Sequence, residues 1–138
     1  MYCDILESPL DLEPLIALVR GLESGALVTF VGYVRERADD GLSVDGLQYE
    51  AHRDLALAEL RAVAREASEK FGEARVAIVH RIGELGLGEA AVAIAVASAH
   101  RGVAFDACEY AIDELKKRVP IWKKERYRDG TERWRENP

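Results

Sequence analysis

Residues 90–99 read AAVAIAVASA, and they constrain the fold more than any other stretch. The run carries no charge, and its only polar residue is Ser98. An apolar segment of strand length without polar alternation suits a strand buried on both faces. Such a strand needs neighbours along both edges and a layer of structure above and below. At 138 residues the chain has the length of one domain, and residues 1–138 are expected to form one.

The other elements follow from local signals. MYCDILES opens with a short strand. DLEPLIALVRGL is predicted helical, with Asp11 as N-cap, Pro14 in the first turn and Leu12, Leu15, Ile16 and Val19 on one face. GALVTFVGYVRER, 25–37, reads as a strand. Its alternation puts Val28, Phe30, Gly32 and Val34 on one side, and the interior glycine suggests a bulge or a close backbone approach. ADDGLSVDG reads as a loop, and LQYEAH as a strand expected to lie antiparallel to 25–37. Residues 53–72 form the clearest helix, with Leu57, Leu60, Ala64, Ala67 and Phe71 as its stripe and Gly72 as its stop. ARVAIVHRIG is a strand joined to the 90–99 run by the glycine-punctuated GELGLGE. VAFDACEYAIDELKKRV is a helix with Phe105, Cys108, Ile112, Leu115 and Val119 inward, ended by Pro120. IWKKERYRDGTERWREN reads as a hairpin turning at Asp129-Gly130. The order β-α-β-β-α-β-β-α-β-β, without strict βαβ alternation, points to an α+β fold.

Charge is unevenly distributed. The formal net charge is −6, yet residues 116–138 hold 9 Lys/Arg against 4 Asp/Glu, while residues 1–115 hold 10 against 21. Within the basic segment, ELKKRVPIWKKER sets Lys116 near a helix end and Lys123 at the start of the returning strand. Two lysines seven residues apart can then share one pocket. There each would lower the other's pKa, and partial burial would lower it further, so that a lysine could serve as acid, base or nucleophile. The alternative is that cations in a last helical turn only complement the macrodipole. Trp122 beside them suits a core or interface anchor. In SAHRG, 98–102, His100 and Arg101 stand between a strand end and a helix N-terminus, where anions bind. A solvated, capped loop is the other reading. Arg35, ending FVGYVR, can reach a ligand or lie on the surface. Two distant cysteines, Cys3 and Cys108, and three isolated histidines show no metal-ligand spacing, so neither metal nor cofactor is expected. The acidic N-terminus and the lack of a long apolar run favour a cytoplasmic protein without membrane contact.

Taken together, GALVTFVGYVR, HRIGELGLGEAAVAIAVASAHRGVAFDACEYAIDELKKRVPIWKKE and DGTERWREN resemble the large, catalytic subunit of molybdopterin synthase, the MoaE family, over about residues 10–136. The resemblance implies an α/β hammerhead fold with an additional antiparallel subdomain. It implies sulfur transfer to cyclic pyranopterin monophosphate, forming a dithiolene. The sulfur would come from a thiocarboxylate on the C-terminal Gly-Gly tail of a small ubiquitin-like subunit. Two large subunits would form the centre of a heterotetramer. The family's catalytic lysines fall on Lys116 and Lys123, and its substrate-binding pair on His100 and Arg101. Arg35 falls on an arginine that the resemblance assigns to the pocket from across the dimer. Tyr33, Val34, Lys124 and Glu125 fall in segments lining the same pocket.

Two other functions remain open to the residues alone. One is a non-enzymatic α+β dimer that senses a phosphorylated small molecule through Arg35 and Arg101. The other is a nucleic-acid binder using the basic C-terminal segment, which the acidic body and a pI near 5.1 oppose.

Overall fold

The computed structural model describes residues 1–72 and 74–136. In chain order the elements are β1 (Tyr2–Leu6), α1 (Leu12–Val19), β2 (Ala26–Tyr33), β3 (Val44–Ala51), α2 (Arg53–Lys70), β4 (Arg75–Arg81), β5 (Gly83–Gly86), β6 (Ala90–Ser98), α3 (Arg101–Arg118), β7 (Ile121–Tyr127) and β8 (Glu132–Glu136). The expected α+β class is borne out. The strands form two four-stranded sheets, ordered β1-β4-β6-β2 and β5-β3-β7-β8. Asn137, the last residue of the expected hairpin, lies outside the described residues.

In the first sheet β1 runs parallel to β4, while β6 is antiparallel to both its neighbours, β4 and β2. As its composition requires, β6 is inside the sheet and covered on both faces. The two faces differ in side-chain size. Val92, Ile94 and Val96 join the larger core beneath α2 and α3, while Ala93, Ala95 and Ala97 meet Leu15 and Val19 of α1. Asp11 caps α1 by accepting from the Glu13 N–H at 3.1 Å. On α2 the C-cap is Phe71, and Gly72 follows with φ +65°, the left-handed conformation glycine adopts without strain.

Three expectations need correction. First, β3 does not pair with β2. It lies in the second sheet, antiparallel to β5 and β7. The 34–43 connection is too long for a tight hairpin and closes a turn of its own, with an Arg37–Ser43 bridge and Gly41 at φ +84°. Second, GELGLGE contains a strand, β5, registered on Gly46–Tyr49 of β3. Four residues with two glycines carry little intrinsic strand signal. Their extended form is held by that pairing and by Arg81, which binds Glu89 at 2.8 Å and the Glu84 carbonyl at 3.2 Å. Third, Phe105 is 61% exposed. The buried stripe of α3 is Ala104, Ala107, Cys108, Ala111 and Leu115, so the helix lies on its small residues and turns the large ring outward.

Close approach of α1 depends on the β6 alanines. Ala95→Leu should overpack that layer and cost about 1–3 kcal/mol, read as a lower urea midpoint with an unchanged slope. Full retention of stability would show that α1 is not seated as described.

Candidate active site

A cavity of about 250 Å³ opens between the end of β2, the 34–44 connection, the inner face of the second sheet and the last turn of α3. Tyr33, Val34, Arg35, Arg37, Ala38 and Asp39 line it from the first side; Val44, Leu47 and Tyr49 of the β3 region line it from below; Lys116, Lys123 and Glu125 complete it. The local reasons are specific. Leu115 is buried in the core, which turns the next residue, Lys116, to the cavity edge. Pro120 ends α3, and β7 then presents alternate residues inward. Near Gly32 the β2–β6 register shifts, and a Cβ there would meet Val92 Cγ1 at 2.8 Å. Beyond that irregularity Val34 is pinned by exchange with Glu89 O and Gly88 N at 3.0 and 2.9 Å, which sets Tyr33 and Arg35 at the cavity.

The electrostatics centre on Lys116. Burial, reinforced by the charge of Lys123 and opposed by Asp39, lowers its pKa to about 8. Asp39 also pairs with Arg35 at 2.5 Å, and this holds its carboxyl below the usual range. Glu125 is buried, accepting from the Tyr127 hydroxyl at 3.0 Å. Its carboxylate lies 2.6 Å from Arg135 and 4.0 Å from Lys123. Asp40 anchors the connection to β8 through Arg133 and Arg135 at 3.3 and 2.6 Å. Burial pushes the Tyr49 hydroxyl up to about 12, with Glu125 adding to the effect, so Tyr49 stays neutral. The result is a small cationic cavity whose lysine at the edge can exchange a proton near neutral pH, bind an anion and stabilise developing negative charge.

Of the residues singled out in the sequence, the structure brings together Tyr33, Val34, Arg35, Lys116, Lys123 and Glu125. Arg35 lines the cavity in its own chain. Lys124 does not line the cavity. The two-residue period of β7 points it to the opposite face, where it pairs with Glu132 at 3.2 Å and lies 5.3 Å from the Trp134 ring centre. His100 and Arg101 are exposed at the N-terminal end of α3, about 22–24 Å from Lys116 by helical rise. Trp122 is not core. It is 44% exposed and lines a separate outer cavity with Trp134 and His52. The sequence reading missed Asp39 and Tyr49. Asp39 sits in what reads as a connecting loop, whereas the Leu47/Tyr49 alternation would have marked Tyr49 as inward. Among the described residues no group of three or more His, Cys, Asp and Glu side chains is placed to hold a metal ion.

With this geometry in hand, comparison with known proteins is informative. The family described as "MoaE protein" matches residues 5–118. The molybdopterin synthase catalytic subunit of Bacillus subtilis is 47% identical over 131 residues, covering 95% of this chain and 82% of the relative. A molybdopterin synthase crystal structure from Staphylococcus aureus superimposes with a TM-score of 0.90 at 39% identity, over 96% of this chain and 95% of that one. A complex of subunits 1 and 2 of the molybdopterin-converting factor from Helicobacter pylori shares the fold, with a TM-score of 0.74 at 21% identity over 92% of this chain and 86% of that one. The family match takes in the end of β2, the 34–44 connection, β3 and α3 through Lys116, so that of the lining residues only Lys123 and Glu125 lie beyond it, and with the close relatives it shows that the chain belongs to the MoaE family.

Proposed function

We propose that this chain is the catalytic subunit of a molybdopterin synthase and works as a sulfurtransferase in molybdenum cofactor biosynthesis. Its substrate is cyclic pyranopterin monophosphate. Its sulfur donor is the thiocarboxylate on the C-terminal Gly-Gly tail of a small ubiquitin-like subunit, and the H. pylori two-subunit complex supports such a partner. The observation that carries the reading is the half-buried Lys116 at a cavity shared with Lys123 and Arg35.

In each of two transfers the thiocarboxylate sulfur bonds to a pterin side-chain carbon as a carbon–oxygen bond at that carbon breaks, the oxygen leaving on the phosphate of the opened cyclic ester or, once protonated, as water. Water then adds to the acyl carbon, the acyl–sulfur bond breaks, and the tail leaves as a carboxylate. Lys116, as ammonium, stabilises the oxyanion on the acyl carbon. Lys123 and Arg35 favour the anionic substrate and the carboxylate product, and Tyr33 and Val34 shape the entrance. The separation along α3 means that His100 and Arg101 reach the substrate phosphate only from a second copy, as in a homodimer at the centre of a heterotetramer. Glu125 holds Lys123 in place rather than touching substrate. No described helix is long and apolar enough to cross a membrane, and we place the reaction in the cytoplasm.

Wild-type chain, thiocarboxylated small subunit and cyclic pyranopterin monophosphate should yield the dithiolene, detected as its oxidised fluorescent derivative. Lys116→Ala should lower turnover on the order of a hundredfold, and Lys123→Ala about tenfold or more. Unchanged turnover in Lys116→Ala would remove its catalytic role.

Since Lys116 acts as the ammonium, kcat should be steady below and fall as pH rises through about 8. A rate that rises through that range would assign the neutral amine instead.

Cys3 and Cys108 are buried, and burial lifts both thiols to about 11, so they stay protonated. Cys3→Ser and Cys108→Ser should each retain turnover per folded molecule, because sulfur arrives on the partner. Loss of sulfur transfer in either folded variant would point to a persulfide route.

A further inference from the structure

His80 ends the inward row Val76, Ile78, His80 of β4 and has no solvent exposure. Its Nδ1 lies 2.8 Å from the Arg81 carbonyl oxygen. A carbonyl can only accept, so Nδ1 carries the ring proton and Nε2 presents a lone pair. The ring meets Tyr49 edge-on, with centroids 5.1 Å apart, and Tyr49 and Lys116 both line the cavity. His80 therefore sits directly behind the cavity wall. Burial lowers its pKa to about 4, with the Lys116 charge contributing, so the ring is neutral near pH 7 and within electrostatic reach of that lysine.

A buried lone pair needs a donor. Among the described residues, the only buried side-chain nitrogen or oxygen atoms without a hydrogen-bond partner belong to Arg81 and Arg135, so Nε2 of His80 is satisfied. We infer that His80 is the positioning residue of the site, its Nε2 accepting a hydrogen bond from the Lys116 ammonium and fixing where that ammonium points. The inference rests on the synthase reading for its catalytic consequence, but the contact stands apart from it.

The choice of imidazole has a physical reason. Around Lys116 stand Lys123 and Glu125 from β7, Asp39 and Arg35 from the β2 side, and Tyr49 from β3. A further carboxylate behind the lysine would raise its pKa and hold the ammonium in a tight ion pair. A neutral acceptor orients the ammonium without adding charge, leaving its proton exchangeable near neutral pH.

The test is imidazole nitrogen NMR on the full chain. His80 should remain the neutral Nδ1–H tautomer between about pH 6 and 9. Its Nε2 resonance should move as Lys116 titrates near 8, and the movement should vanish in Lys116→Met. An Nε2–H tautomer, or a resonance indifferent to Lys116→Met, overturns the proposal without the need to alter His80. For turnover, His80→Gln keeps an acceptor and should stay close to wild type. His80→Leu should lower kcat about tenfold with little change in KM and shift the alkaline limb to lower pH. A folded His80→Leu with an unmoved limb also overturns it. Should wild type make no dithiolene while the resonance still follows Lys116, the contact holds and the synthase reading fails.

Discussion

Burial of β6 on both faces is the constraint from which the rest follows. Its branched residues and its alanines divide the interior into two unequal layers, a thick one beneath α2 and α3 and a thin one beneath α1. Because the thick layer seats α3 on alanines, Cys108 and Leu115, the rotation of α3 is set along its whole length. That rotation places Lys116 at the cavity and Arg118 on the far side, against Glu59, Glu66 and Glu114. A helix turned by two residues, about 200°, would exchange those roles. The position of the working lysine is thus a consequence of core packing some distance from it.

The second sheet performs the complementary sorting. Alternation along β7 sends Lys123 and Glu125 into the cavity and Trp122 and Lys124 to the outer surface. The concentration of positive charge in the last 23 residues therefore does not form one patch. Part of it is neutralised by acids from distant segments, as in Arg118 with Glu66 and Arg126 with Glu84, and Arg135 is shared between Asp40 and Glu125. What remains inside is small, cationic and partly shielded from water, which suits an anionic substrate better than a long polyanion.

Holding Lys116 in that setting works against stability. Its pKa falls from 10.5 in the unfolded chain to about 8 when folded, so between those values the unfolded chain binds more protons and folding stability rises with pH. Below about 8 the native state carries the full cost of a desolvated ammonium beside a second cation. A residue kept under those terms is better explained by chemistry than by structure. The neutral, buried His80 behind it fits the same logic, since an acceptor without charge limits that cost and leaves the lysine able to titrate.

The sequence by itself determined the types of the elements other than β5, the two-sided burial of β6, the helix caps at Asp11 and Gly72, and the irregularity at Gly32, because each is a local matter of side-chain period, backbone freedom or capping chemistry. Through motif resemblance it also determined the family and half of the residues that line the cavity. Only the tertiary structure decided that β3 leaves β2 for the second sheet, that GELG becomes a strand, that Phe105 faces out and that Lys124 points away from Lys123. It alone brought Asp39 and Tyr49 to the site beside Arg35 and Lys116. Strand partnership and helix rotation depend on contacts between segments far apart in the chain. No local period encodes them.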